Sequence, residues 1–137
     1  MNMEETINQV LRQLEENPSY SNKGVKDAEM KLLTKGTSVN DHPVYCVKKG
    51  ESYLQVIHDK KENVLYIPAM WMDYKGHFNQ LMDFLVEEKG INHIKFTNVI
   101  NKSLEKRLNG FEVKKERHEY FDEDVKVLEG NWRLEND

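Results

Sequence analysis

The sequence predicts an α+β fold: a mixed sheet made of an antiparallel meander plus one parallel pair, with two N-terminal helices and a central crossover helix. Three observations predict it. Apolar residues recur at helical spacing in the first 35 residues, alternate in strand fashion between Pro43 and Met70, and return to helical spacing from His77 to Lys89. A helix between two strand-like runs is the sequence sign of parallel strands joined by a right-handed crossover. At 137 residues the chain suits one domain, 1–137, and it contains no repeat, low-complexity tract or evident linker.

Taken in order, Met3 to Glu16 places Ile7, Val10, Leu11 and Leu14 on one stripe of a helix. Asn17-Pro18 ends it, because proline disfavours helical geometry in the residue before it. A second helix is expected from Lys23 or Val25 to Lys35, carrying Val25, Ala28, Met30, Leu32 and Leu33 and stopping at Gly36. Thr37 to His42 reads as a polar loop. The meander follows: Pro43 to Val47, a polar turn over Lys48–Glu51, and Ser52 to His58, where Tyr53, Gln55 and Ile57 alternate with Leu54 and Val56. A second turn over Asp59–Asn63 leads to Val64–Met70, the most apolar strand. After a turn over Asp73–Gly76, the helix His77–Lys89 carries Phe78, Leu81, Met82, Leu85 and Val86 on one face, and Gly90 closes it. Ile91 to Val99 is a strand, and a short helix over Lys102–Leu108 is capped by Asn101 or Ser103. Asn109-Gly110 turns the chain, Phe111 begins another strand, and Tyr120–Leu134 holds one or two more. The expected core includes Leu54, Val56, Leu65, Ile67, Phe78, Leu81, Leu85, Ile94, Phe96 and Phe111.

Composition excludes several function classes. With 38% hydrophobic and 32% charged residues the chain has enough apolar side chains for a core, and its net charge is -4. A generic nucleic-acid binder needs a concentrated basic surface, so no nucleic-acid partner is expected. No apolar run approaches the ~20 residues that cross a bilayer. The acidic N-terminus (Glu4, Glu5, Glu15, Glu16) is unlike a secretory signal, so a cytoplasmic protein with no membrane partner is expected. The single cysteine, Cys46, rules out an internal disulfide and, between Tyr45 and Val47, reads as a small buried hydrophobe. His58, His93 and His118 lack metal-ligand spacing, and no metal is expected. There is no P-loop and no serine nucleophile elbow. The run from Lys114 to Glu119 mixes signs and fits the wet face of an edge strand; strand addition there would build a homodimer.

The run Thr97-Asn98-Val99-Ile100-Asn101, the helix after it and the closing Asn109-Gly110-Phe111, taken with the element order from Pro43 onward, resemble the GCN5-related N-acetyltransferase (GNAT) family. The family's first strand has no counterpart, since Met3 onward reads as helix. The resemblance implies an acyl-CoA-dependent N-acetyltransferase acting on an amine, with acetyl-CoA or another acyl-CoA as cofactor. In the family a loop of the form Q/R-x-x-G-x-G/A after the fourth strand holds the pyrophosphate, its small residues admitting backbone amides and the following helix adding its positive end. The corresponding stretch here, Trp71 to Leu81, is degenerate. Lys75 and Gly76 match, while His77, Phe78 and Asn79 stand where the family has glycine or another small residue. The resemblance thus carries cofactor binding onto Lys75, Gly76, His77, Phe78 and Asn79. The family's acid is often a tyrosine four residues ahead of the Gly-Phe pair, and here that position is Lys106. No catalytic residue is assigned; Glu62, Asp73 and His58 are candidate bases by location.

Two readings stand beside this one. His77 also reads as a helix-start histidine, and Met70, Trp71 and Met72 either line an acyl groove or close the core at a strand end. The different functional class is a non-catalytic GNAT-shaped module that binds a protein partner. Its Lys/Glu/Asn-rich composition suits a phage or mobile-element protein directed at a host protein. The family's fold implies a ligand groove between the Val64 and Ile91 strands, with the Tyr74–Asn79 turn at the same end.

Overall fold

The computed structural model describes residues 5, 30–33, 38–39, 41–108, 110–117 and 123–133. Its elements are β1 (Met30–Leu33), β2 (Ser38–Val39), β3 (His42–Lys49), β4 (Ser52–Asp59), β5 (Val64–Trp71), α1 (His77–Lys89), β6 (His93–Thr97), α2 (Lys102–Arg107), β7 (Glu112–Glu116) and β8 (Val125–Asn131). The meander β3–β4–β5 forms because each strand is followed by a residue that accepts a left-handed turn: Gly50 at φ 59° and Asn63 at φ 56°. The second turn is also held by the Asp59 carboxylate, which accepts the amides of Lys61 and Glu62 at 2.9 and 3.0 Å.

The strands lie in the order β1-β3-β4-β5-β6-β8-β7, with β2 pairing with β3 off that path. β5 and β6 are parallel, in register from Leu65↔Ile94 to Ile67↔Phe96. The other pairs are antiparallel, and β8 lies between β6 and β7. α1 joins the parallel pair, and Gly90 at φ 66° ends it with its amide on the Val86 carbonyl. Asn101 caps α2, its side chain accepting the Leu104 amide at 2.9 Å.

Two expectations need correction. Met30–Leu33, placed in a second helix, is strand β1, antiparallel to β3 from Met30↔Lys49 to Leu33↔Cys46. The outer edge of β3 carries unpaired backbone groups, and this short segment satisfies them. Ser38–Val39, expected in a loop, pairs with His42 and Pro43. Of the helix expected over Met3–Glu16 only Glu5 is described, and it is helical; the rest, like Lys23–Glu29, lies outside the described residues.

One face of the sheet packs with α1 and α2: Val47, Leu54, Val56, Leu65, Ile67, Ile94 and Phe96 meet Phe78, Leu81, Met82 and Leu85 of α1 and Leu104 of α2. Phe96 sits between Phe78 and Phe111, with ring centroids 6.1 and 6.2 Å away. Among the expected core residues only Phe111 is less than fully inside, half-buried against this cluster. A second cluster on the other face joins Val44, Cys46, Ile57, Val64, Tyr66, Val125 and Val127.

Candidate functional site

The sheet opens between β5 and β6. Pairing between them ends at Ile67↔Phe96, yet β5 continues, paired to β4, as far as Trp71↔Tyr53. Opposite Val56 of β4 the β5 strand has two residues, Ile67 and Pro68, because Gln55 pairs with Ala69 and Ile57 with Tyr66. Such a bulge bends the strand and tolerates a proline, which has no amide to give. On the other side, β6 stops at Thr97. Asn98 at φ 64° turns the chain away, with the Val99 amide on the Thr97 carbonyl at 2.6 Å. The N-terminus of α1 lies at this same end of β5, and Trp71 and Tyr74 beside it are 59% and 62% exposed.

The residues from Lys75 to Asn79 do not share one role. Lys75 is exposed, and its carbonyl accepts from the Phe78 amide and from Arg107 Nη1, both at 3.3 Å. Gly76 is the N-cap of α1 and offers no capping side chain. The Tyr74 ring covers it so closely that a Cβ at Gly76 would lie 2.5 Å from Cε1, so the glycine serves the ring. Phe78 belongs to the core and presents no side chain to a ligand. Asn79 is exposed and faces a neighbouring cleft.

His77 is held by two partners, one of which the sequence reading missed. Ser52 Oγ donates to Asp73 Oδ1 at 2.6 Å and accepts the Asp73 amide at 3.0 Å. His77 Nδ1 lies 2.8 Å from the same hydroxyl and 3.1 Å from the same carboxylate oxygen. A hydroxyl has one proton to give, so Nδ1 carries the hydrogen toward both oxygens. A catalytic serine triad needs serine and aspartate on opposite ring nitrogens, with the serine accessible. Here both sit on Nδ1 and Ser52 is fully buried, so the cluster fastens the β5–α1 turn to β4. The Ser52 hydroxyl, with His77 beside it, holds the Asp73 carboxyl below its ordinary value, which makes Asp73 a poor base. Of the other candidate bases, His58 pairs with Leu65 at the far end of β5, and Glu62 lies in the turn before it. Burial pushes the His58 imidazole below its ordinary value. Lys106 is exposed on α2.

Two side chains beside the opening are buried without partners. Neither Gln55 Nε2 nor Oε1 is hydrogen bonded, and neither is Thr97 Oγ1, though both residues are fully buried. Their strand partners Cys46 and Val127 belong to the second cluster, so both side chains face away from α1, one on each side of the β5 bulge. An unsatisfied buried polar group costs about 1–3 kcal/mol, and two such side chains flank this bulge. In the sequence Gln55 looked like ordinary polar alternation.

On the α1 side, a cleft of about 530 Å³ is lined by residues including Asn79, Arg107, Phe111, Trp132 and Arg133. Its two arginines lie 26 positions apart and form no motif, so no local signal announced them. Among the described residues, no group of three or more His, Cys, Asp or Glu is placed to hold a metal ion, and no helix is long and apolar enough to cross a membrane. The chain matches no protein-family model, no curated protein and no solved structure.

Proposed function

We propose that the chain is a GNAT-like protein that binds an acyl-CoA in the opening between β5 and β6. The observation that carries this reading is that β5 stays extended through Trp71 after its pairing with β6 has ended at Ile67. One edge of Pro68–Trp71 is thereby left to pair with something that is not β6. An extended ligand arm bearing amides is suited to that edge, since strand addition supplies backbone hydrogen bonds. The N-terminus of α1 at the same end favours negative charge on the ligand. Amine acylation in this setting has no assigned acid or base: Asp73 is fastened to Ser52 and His77, and Lys106 stands where a tyrosine would act. The acceptor amine would therefore need to arrive already neutral.

The second reading, a non-catalytic module of the same shape that binds a protein partner, is favoured by the Tyr74 ring closed over Gly76. Acetyl-CoA titration followed by thermal unfolding separates the two. Ligand at ~100 times its dissociation constant adds ~2.7 kcal/mol of stability. Stabilisation together with thiol release in the presence of amines supports the acyltransferase, and stabilisation without thiol release supports a binding module. If neither acetyl-CoA nor a longer acyl form stabilises the protein at millimolar concentration, the acyl-CoA reading fails.

A further inference from the structure

The cleft on the α1 side has a charge character opposite to that of the whole chain. The protein carries 24 acidic residues against 20 lysines and arginines, yet among the described residues no aspartate or glutamate lines this cleft, while Arg107 and Arg133 both do. Its walls are fixed. Trp132 donates from Nε1 to Asp83 Oδ1 of α1 at 2.8 Å and from its backbone amide to the Asn92 carbonyl at 2.8 Å. Its ring stands edge-on to Phe78, 5.7 Å away. These contacts hold the segment Asn131–Arg133 against α1. Phe111 is seated over Gly130, where a Cβ would come within 2.6 Å of the ring, so the glycine lets the aromatic settle into the cleft wall. Arg107 is set by its bond to the Lys75 carbonyl and by the Phe78 ring, 5.4 Å from its guanidinium carbon. One of its five N–H donors is thus engaged by the carbonyl. Arg133 makes no hydrogen bond or ion pair among the described residues.

Two guanidinium groups with donors to spare, in a fixed and partly aromatic cleft with no carboxylate among its described lining residues, call for an anionic ligand with several acceptor oxygens. Guanidinium groups match phosphate oxygens in a planar, two-pronged fashion. A volume of about 530 Å³ is in the range of small-molecule sites and far exceeds what a simple ion needs. We propose that this cleft binds a phosphate-bearing small molecule, with Arg107 and Arg133 on its phosphate oxygens and the Asn79 and Asn131 carboxamides at the rim. The phosphate belongs either to a free nucleotide or to a coenzyme A whose acyl arm lies in the β5–β6 opening. The site stands without the acyl-CoA reading.

Calorimetric titrations at constant ionic strength test this, using adenosine 3′,5′-bisphosphate, adenosine, coenzyme A and acetyl-pantetheine as probes. The bisphosphate is expected to bind and adenosine not to. Arg133→Gln, at an exposed position, should weaken bisphosphate binding about tenfold or more with the melting temperature unchanged. Arg133→Lys should recover part of that loss, and Arg107→Gln/Arg133→Gln should abolish binding. Coenzyme A binding more tightly than the bisphosphate identifies the coenzyme as the source, and equal affinity identifies a free nucleotide. Bisphosphate binding with no response to acetyl-CoA or acetyl-pantetheine leaves the cleft standing and removes the acyl-CoA reading. The proposal is overturned if the wild-type protein binds none of the phosphate probes, or binds them equally well with both arginines replaced.

Discussion

Lys95 offers the sharpest test of how the far side of the sheet is held. It is 6% exposed on β6, and its Nζ lies 2.9 and 3.1 Å from the two carboxylate oxygens of Glu116 on β7. Glu62 is 3.6 Å away and Glu129 4.0 Å, and the Tyr66 hydroxyl, 3.3 Å from Nζ, itself donates to Glu116 at 2.7 Å. Among the described strands β7 is at the edge, hydrogen-bonded to β8, so this cluster ties it across β8 to β6 and β5. Lys95→Met removes the cation from three carboxylates. Removing one partner of a fully buried ion pair costs about 3–5 kcal/mol. The Glu116 side chain is 23% exposed and water shares its charge, so we expect about 2–3 kcal/mol here. Glu129 keeps His93 and Lys114 as partners and adds little to the loss. Adding Glu116→Gln removes the stranded charge while its amide oxygen still accepts from Tyr66. The double variant should therefore recover at least about 1 kcal/mol of the loss. Urea unfolding at neutral pH reads this as a shift in midpoint at constant slope. A loss below about 0.5 kcal/mol for Lys95→Met, or a double variant as unstable as the single one, would refute the argument.

Three other outcomes are expected. Burial pushes the Cys46 thiol from 9.0 up to about 12, so thiol reagents at mildly alkaline pH should label the native protein only at the rate at which it opens. The unfolded thiol loses its proton first, so this contribution is full below pH 9.0 and falls as pH rises toward 12; Cys46→Ala should flatten that part of the stability curve. The Asp73 carboxyl, held down by Ser52 and His77, contributes stability above its unfolded value that is lost as pH falls through the folded one. Ser52→Ala should shrink the acid-side slope of melting temperature against pH, and an unchanged slope would sink the assignment. Phe96→Ala should cost ~3–5 kcal/mol in urea unfolding, and half-buried Phe111→Ala about half as much; equal costs would place Phe111 fully in the core.

How much of this was legible in the sequence depends on the range over which each feature is decided. α1 was readable to the residue because its apolar spacing, Gly76 ahead and Gly90 behind are all local signals. The meander was readable because each turn carries its own left-handed residue, and the parallel pair because a helix intervenes. β1 was not readable: Met30, Leu32 and Leu33 fit both helical and strand spacing, and the free edge of β3 decides between them. The charges after Phe111 lie on β7, which stands at the edge of the described sheet as their mixed signs predict. At the site the turn Asp73–Asn79 was legible, but its fastening was not, since Ser52 and Asp73 lie 21 residues apart. Lys95 and Gln55 sit at alternate strand positions that normally face water, and only the packed sheet shows both to be buried.

The opening itself has a local cause on each side. Pro68 lacks an amide, and an internal strand accepts it where a bulge relieves the ladder, which is where Val56 faces two residues of β5. The bulge bends β5 while β4 keeps hold of it through Trp71. On β6 the ladder ends one residue after its last bond to β5, because Asn98 adopts φ 64° and sends the chain toward the Asn101 cap of α2. An asparagine tolerates that conformation better than other side chains with a Cβ, though at some cost. Neither device is needed to bury the core, which both strands complete before they part: Leu65 and Ile67 on β5, Ile94 and Phe96 on β6. Strain and unsatisfied polar groups survive where the surrounding structure over-determines them. Here a left-handed asparagine, a strand proline and two unpartnered buried side chains gather at one end of one strand pair. The opposite end has its own left-handed Asn63 and an unpartnered His58 Nδ1, but there β5 and β6 stay paired from Leu65↔Ile94, so it is the parting of the two strands that distinguishes the first end.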